Sequence, residues 1–255
     1  MSKIIENDIE LYAIEELEKL AFKFLHGPDI ASDGDFPERR DYGNIILEDR
    51  LRTAIHGLNP FIPTDAREQA LREVLRINSP ELLTNNETFH RYLTDGVPVQ
   101  YRVNGNEKSD YVWLIDFDHP LNNDLLVINQ FTVIENNQNK RPDILIFVNG
   151  IPIVLIELKN AADENATIKK AFDQIQTYKA TIPSLFTYNA FCVISDGHEC
   201  RAGSVSAGFS RYMAWKSIEG KKEASKLTPQ LETLVKGMLN PTTLLDIVRH
   251  FIIFE

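Results

Sequence analysis

Cysteine is scarce in this sequence, with two residues among 255. Cys192 and Cys200 are too few for a four-cysteine zinc cluster or a framework of disulfides. We therefore expect a reducing compartment, the cytosol, as the home of the protein. Long apolar runs are also lacking, because Asn149-Gly150 separates the two longest ones, 144–148 and 151–156. A chain without a span of about 20 apolar residues is not expected to cross a membrane.

Basic residues are fewer than acidic ones, 27 against 37, which gives a net charge of −10. A compact module that holds DNA only through its phosphates is more usually basic. If nucleic acid is the substrate, the basic surface is either local or supplied by a partner. The balance of 43% hydrophobic and 25% charged residues is typical of a globular protein with a real core.

The pattern of apolar residues changes from helical in the first part of the chain to strand-like in the second. Helices are predicted over 8–25, 45–57, 65–77 and 86–95, with a long polar loop over 27–43. Strands are predicted over 97–103, 111–117, 125–135, 142–148, 152–159, 190–195 and 199–205. Further helices are expected over 164–180 and 241–252. This order favours an α/β fold, with a mixed sheet flanked by helices.

One stretch, residues 141–160 with the sequence RPDILIFVNGIPIVLIELKN, places ionisable groups at the ends of apolar strands. Asp143 opens one strand, and Glu157 and Lys159 close the next. Such charges are costly unless they are paired or bind a metal. Alternation along a strand places Glu157 and Lys159 on one face. Two converging carboxylates would bind a hard cation such as Mg²⁺, and the lysine would polarise a water or offset transition-state charge.

The turn between the two strands decides whether Asp143 and Glu157 can meet. A plain two-residue turn at Asn149-Gly150 would place Asp143 opposite Ile156, on the other face from Glu157. The metal site therefore requires a loop with an odd number of residues or a β-bulge. An unbulged ladder would exclude the metal site. A buried salt bridge between Lys159 and a carboxylate is the alternative explanation of the same residues.

The helix predicted over 164–180 adds two polar residues to this region. Gln174 and Tyr178 are four residues apart and share one face, with Lys170 one turn earlier. Asp163 and Glu164 lie near the start of the helix, where negative charge is favoured. We expect Gln174 and Tyr178 at the rim of the site, although ordinary helix-edge residues would show the same spacing.

Residues 141–160 strongly resemble the nuclease motif of the restriction (R) subunit of type I restriction-modification enzymes. In that family Arg-Pro-Asp begins one strand and Glu-Leu-Lys-Asn ends the next. Gln174 and Tyr178 are similar to the Gln-x-x-x-Tyr element of RecB-like nucleases of the PD-(D/E)xK class. Other segments that resemble family signatures are 51–60 (LRTAIHGLNP), 89–97 (FHRYLTDGV), 129–133 (NQFTV), 195–197, 201–203 and 215–216. Together the resemblance covers most of residues 5–218.

The resemblance implies a restriction-endonuclease-like core with an N-terminal helical elaboration. It also implies an endonuclease that hydrolyses DNA phosphodiester bonds. Asp143, Glu157 and the backbone carbonyl of Leu158 would bind Mg²⁺, or Mn²⁺ in its place. Lys159 would be the catalytic lysine.

The resemblance assigns further roles around this set. Gln174 and Tyr178 would position DNA or a catalytic water. Related nucleases carry an acidic residue on the first helix, and Glu10 is the candidate metal ligand there, with Glu6 the second choice. A solvated helix face explains either glutamate equally well.

The full family subunit continues into two RecA-like motor domains that use ATP. No G-x-x-x-x-G-K-[ST] motif occurs here, since Gly220-Lys221 is followed by Lys222. ATP is therefore expected to bind only in the missing motor. We expect a nuclease domain over 1–220 and a helical linker toward the motor over 221–255, so that the chain is a fragment of a longer protein.

The expected partners are double-stranded DNA and the methyltransferase and specificity subunits of the type I complex. Two other functions fit the same residues. One is a catalytically silent nuclease fold that serves as a docking module for those subunits. The other is a free-standing RecB-like nuclease that acts in repair. Metal binding that depends on Glu157 would distinguish the enzyme from the docking module.

Overall fold

The computed structural model describes residues 6–159 and 168–254. The helices in these ranges are α1 Glu6–Glu18, α2 Glu48–Leu58, α3 Thr64–Leu75, α4 Leu82–Asp95, α5 Ile168–Thr181, α6 Ser184–Thr187, α7 Gln230–Gly237 and α8 Pro241–His250. The strands are β1 Lys23–His26, β2 Val97–Val103, β3 Asn106–Val112, β4 Leu125–Asn129, β5 Val133–Glu135, β6 Gln138–Lys140, β7 Ile144–Val148, β8 Ile151–Leu158, β9 Phe191–Ser195 and β10 Cys200–Ser204.

A six-stranded mixed sheet lies at the centre, in the order β1-β4-β7-β8-β9-β10. β1 is parallel to β4 and β8 is parallel to β9, while the other neighbouring strands are antiparallel. β2 with β3 and β5 with β6 form two separate hairpins. The expected α/β class is confirmed, and this architecture is consistent with a restriction-endonuclease-like fold.

The hairpin of β7 and β8 is the most deeply buried part of the sheet. All residues of both strands are buried. A strand covered on both faces needs consecutive apolar residues rather than alternating ones, which explains the sequences ILIFV and IPIVLIEL. α1 packs beside β1, β4 and β8, and α5 packs beside β8 and β9. α5 also provides the crossover that two neighbouring parallel strands require.

The predicted helix over 8–25 is wrong in its second part. α1 ends at Glu18, and Ala21 takes a left-handed φ of 72°. The amide of Phe22 donates to the carbonyl of Leu17 at 3.3 Å, and the chain then enters β1. The apolar residues after 21 pair with β4 at the edge of the sheet, a long-range contact that helical spacing cannot reveal.

Two predicted strands also differ from the structure. The strand expected over 111–117 is found at 106–112, because the turn at Asn104-Gly105 sets its register with β2. The strand expected over 125–135 is broken at Gln130, whose φ is 53°. The sequence did not predict β6, α6 or α7. Asp163 and Glu164 lie outside the described residues.

The C-terminal helices pack on the rest of the described chain. Leu231, Leu234 and Val235 of α7 belong to the common hydrophobic core. The Tyr12 hydroxyl donates to Glu232 at 2.9 Å, so that α1 and α7 are also joined by a polar contact. The domain boundary expected near residue 220 stays a prediction. No helix in the described part of the chain is both long and apolar enough to span a membrane.

Candidate active site

A β-bulge sets the register of the β7–β8 hairpin. The turn has two residues, Asn149 and Gly150, with φ values of 52° and 80°. Val148 lies opposite Ile151, but the pairing then shifts by one residue, because the ladder skips Ile153. Beyond the shift, Ile144 lies opposite Ile156. The sequence requirement for a bulge is thus met, and Asp143 comes to the same row as Glu157.

The bulge itself is held by the neighbouring strand. The carbonyl of Ile153 accepts hydrogen bonds from the amide of Ala190 at 2.7 Å and the side chain of Asn189 at 3.2 Å. The extra residue therefore leaves no unsatisfied carbonyl in the core, which removes the main cost of a bulge in a buried strand. This arrangement fixes the register on which the site depends.

Three side chains converge at the open end of the hairpin. The amide of Leu158 donates to Asp143 Oδ2 at 2.7 Å. The ammonium group of Lys159 donates to Glu157 Oε1 at 2.8 Å and to the carbonyl of Leu158 at 2.7 Å. The amide of Lys159 is held by the carbonyl of Ser195 on β9. The predicted set of Asp143, Glu157, Leu158 and Lys159 is thus brought together.

Glu157 is the most deeply buried ionisable group of this set, with only 2% of its surface exposed. Burial raises the pKa of Glu157 to about 8, and the negative charge of Asp143 raises it further, while Lys159 opposes the shift. Glu157 Oε2 is buried and has no hydrogen-bond partner among the described residues. Lys159 contacts the other oxygen, Oε1, so that Oε2 is the atom of this carboxylate where a further cation or donor would stabilise the charge.

α5 brings Gln174 and Tyr178 to the same site. Tyr178 is buried beside Glu157, and its hydroxyl lies 3.5 Å from the carbonyl of Arg141. Burial raises the pKa of Tyr178, and the charges of Glu157 and Asp143 raise it further. The hydroxyl therefore stays protonated and can donate a hydrogen bond. Gln174 lies next to this hydroxyl, at the half-buried edge of the helix.

Glu10 lies beside the site but is held by amides. Its two carboxylate oxygens accept hydrogen bonds from Asn129 at 2.7 Å and Gln130 at 2.9 Å. The amide of Gln130 in turn donates to the carbonyl of Asp143 at 3.0 Å. Within the described residues, no three His, Cys, Asp or Glu side chains cluster closely enough to hold a metal. Metal binding by Glu10 stays a prediction, and the Glu6 side chain lies outside the described part.

Sequence reasoning assigned no site role to Asn129 and Gln130. Their signal was the abrupt change from the apolar run LLVI to two amides at the end of β4. The start of β7 lies at the same end of the sheet as the C-terminal ends of β4 and β8. Amides at the end of β4 therefore lie near Asp143, a proximity that follows from the strand order and not from the local sequence.

The comparison with known families gives one match that spans most of the chain. Residues 3–211 match the family model described as the type I restriction enzyme R protein N terminus. This chain belongs to that family. The match covers the six-stranded sheet and both helices that carry candidate site residues.

The curated relatives are endonuclease subunits of type I restriction enzymes. The chain is 38% identical to the HindI endonuclease subunit of Haemophilus influenzae, over 98% of this chain and 24% of the relative. It is 33% identical to a putative MjaIXP endonuclease subunit of Methanocaldococcus jannaschii, over 94% of this chain and 23% of the relative. The chain thus spans about a quarter of the length of these two relatives. The EcoprrI endonuclease subunit of Escherichia coli is 26% identical over 90% of this chain.

Proposed function

We propose that this chain is the DNA-cleaving part of a type I restriction enzyme R subunit. The observation that carries the proposal is the bulge at Ile153, which brings Asp143 beside Glu157 and Lys159. In the first two relatives, most of the chain lies outside the part matched here. ATP-driven translocation and the contacts with the methyltransferase and specificity subunits are proposed for the complete protein.

The donor set fits a hard divalent cation. Asp143, Glu157 and the carbonyl of Leu158 are oxygen donors, the type that Mg²⁺ and Mn²⁺ prefer. The buried Oε2 of Glu157, without a hydrogen-bond partner among the described residues, supports this assignment. Mg²⁺ bound by these residues would supply Lewis acidity for phosphodiester hydrolysis. Its presence would also relieve the repulsion between the two carboxylates.

The remaining residues would position the reactants. The Lys159 ammonium, 2.8 Å from Glu157, is placed to hold an attacking water or to donate to an anionic phosphate oxygen. The protonated Tyr178 hydroxyl and the Gln174 amide would orient the same water or the DNA backbone. Glu10, fixed by two amide donors, would hold the end of β4 against the strand that carries Asp143.

The test is cleavage by the complete subunit assembled with its partner subunits. We expect Asp143→Ala to lower the cleavage rate by about 10³-fold or more, because it removes an oxygen donor from the reaction centre. ATP-driven translocation should keep its wild-type rate. Asp173→Ala, which removes a carboxylate outside the site, is the control and should cut normally. Wild-type cutting by Asp143→Ala would refute the proposed site.

A docking module without catalytic activity predicts a different result. In that case Asp143→Ala and Asp173→Ala would behave alike in both assays, and assembly with the partner subunits would be the function under selection. The buried carboxylate of Glu157 favours the enzyme, because its pKa is raised and one of its oxygens has no hydrogen-bond partner among the described residues, and perturbed groups of this kind cluster at functional sites.

A further inference from the structure

The two parts of the chain differ sharply in charge. Residues 1–135 contain 13 basic and 25 acidic residues, whereas residues 136–255 contain 14 and 12. The second part includes β7, β8 and α5, and with them Asp143 just before β7, Glu157 on β8, Lys159 just after β8, and Gln174 and Tyr178 on α5. The net charge of −10 therefore belongs to the part that precedes the candidate site, and a local basic surface should be sought in the second part.

Some cations of this second part are already neutralised. Lys169 forms an ion pair with Asp173 on α5, and Arg201 forms one with Glu199 at 2.5 Å. Both cations also lie over the ring of Phe209, at 5.5 and 5.6 Å from its centre. These two groups are engaged within the protein and offer little to an external anion.

Three other cations of the second part, two before β7 and one on α5, lie near the candidate site. Arg141 is exposed and precedes Asp143 by two residues, and its carbonyl lies 3.5 Å from the Tyr178 hydroxyl. Lys140 is half-buried at the end of β6, which packs beside α5. Lys170 is exposed two turns before Tyr178, roughly 12 Å along the helix axis, on the row that includes Gln174.

None of these three cations forms an ion pair with a carboxylate in the described part of the chain. Two acidic groups of neighbouring elements have other partners: Asp173 on α5 pairs with Lys169, and Glu135 on β5 accepts from the amide and hydroxyl of Ser184 at 3.1 and 2.7 Å. Asp143 and Glu157 belong to the candidate site itself. The three cations thus add positive charge that no ion pair among the described residues neutralises, on a chain that is acidic as a whole.

We propose that Lys140, Arg141 and Lys170 form a basic strip that binds the phosphates of the DNA backbone next to the cleavage site. The inference rests on the proposed function, since it takes DNA as the substrate. Arg141 is placed near the site because it lies two residues before Asp143. Lys170 is placed near it because it lies on the helix that includes Tyr178. A backbone held by both cations would pass the row of Tyr178 and Gln174 between them.

The test is the salt dependence of DNA binding by the 255-residue chain, measured by fluorescence anisotropy with a short duplex and with EDTA in place of divalent metal. The strip variant is Arg141→Gln with Lys170→Gln, and the control is Lys169→Gln with Arg201→Gln. Both double variants lose two positive charges, so the change in net charge is the same. Their thermal unfolding is compared with that of the wild type.

We expect the strip variant to bind at least about tenfold more weakly at low salt. The slope of log affinity against log salt concentration should fall by roughly two, the value for two lost phosphate contacts. The control variant should keep the wild-type slope and an affinity within about twofold. Equal losses in the two variants would overturn the strip, as would a wild-type chain that binds no DNA at the lowest salt concentration.

These results are independent of the cleavage test. If Asp143→Ala abolishes cutting while the two double variants bind alike, the nuclease assignment stands and the strip is wrong. If the strip variant alone loses affinity while Asp143→Ala still cuts, the strip stands as a DNA-binding surface and the proposed catalytic site is wrong.

Discussion

The two ends of the β7–β8 hairpin bury polar side chains to the same degree but differ in how far these side chains are hydrogen-bonded. Asn149 at the turn and Glu157 at the open end are each 2% exposed. At the turn, every polar group of the Asn149 side chain is hydrogen-bonded. At the open end, one carboxylate oxygen of Glu157 has no partner among the described residues.

The turn end is fully satisfied by neighbouring backbone and side chains. Asn149 accepts from the amide of Asp124 at 2.8 Å and donates to the carbonyl of Leu114 at 2.9 Å and to Asn123 at 2.8 Å. The amide of Leu47 donates to the carbonyl of Gly150 at 2.9 Å. A neutral, saturated network of this kind stabilises a fold.

The open end brings ionisable groups together in a buried position. A buried carboxylate beside a second carboxylate destabilises the folded chain, and Lys159 divides its contacts between Glu157 and the carbonyl of Leu158. Such groups persist at sites where a ligand completes them. The difference between the ends shows that burial alone does not identify a candidate site, and that the hydrogen bonds and the chemistry of each buried polar group must be compared as well.

The largest effect on stability is expected at the turn. The Cβ of Gly150→Ala would lie 2.5 Å from the carbonyl oxygen of Leu47 and 3.1 Å from Arg50, at a φ of 80°. We expect the free energy of unfolding to fall by about 2–4 kcal/mol, because both the backbone conformation and the contact are unfavourable. Urea denaturation measures the change.

Gly105→Ala is the matched control for this prediction. Asn104-Gly105 forms a two-residue turn with nearly the same φ values, 51° and 83°, but no atom lies within 4 Å of the added Cβ. Only the conformational cost of about 1 kcal/mol should remain. Equal losses at the two glycines would show that the contact with α2 does not hold the turn end.

A smaller effect of opposite sign is expected at the open end. Glu157→Gln removes the ionisable group with little change of shape. Because the folded chain raises the pKa of Glu157 to about 8, folding opposes its ionisation at neutral pH, and the metal-free variant should gain about 1–2 kcal/mol of stability there. Chemical denaturation in EDTA measures this gain. A loss of stability comparable to that of Gly150→Ala would mean that the Glu157–Lys159 ion pair is structural, and the contrast between the two ends would disappear.

The sequence predicted the parts of this molecule that are governed by local patterns. The apolar runs around Asn149-Gly150 predicted the hairpin, and turn chemistry predicted its tight connection. The condition that Asp143 and Glu157 share a face could also be stated from strand alternation. The sequence did not decide between an odd-numbered loop and a β-bulge. The bulge at Ile153 depends on hydrogen bonds from Ala190 and Asn189, which are far away in the sequence.

The features that were missed depend on long-range pairing. The apolar spacing of 8–25 is helical throughout and does not indicate β1, which forms because residues 23–26 pair in parallel with β4. The role of Asn129 and Gln130 beside Glu10 follows from strand order rather than from any local motif. The proposed basic strip likewise depends on tertiary structure, which determines which lysines and arginines are already in ion pairs.

Calorimetric titration of Mn²⁺ into the metal-free chain tests most directly whether the open end is a cation site. We predict saturable binding by the wild type, unchanged binding by Gly105→Ala, and no detectable binding by Glu157→Gln, which lacks the charge that faces the cation. A wild-type chain that releases no saturable heat, or a Glu157→Gln variant that binds as tightly as the wild type, would contradict the account.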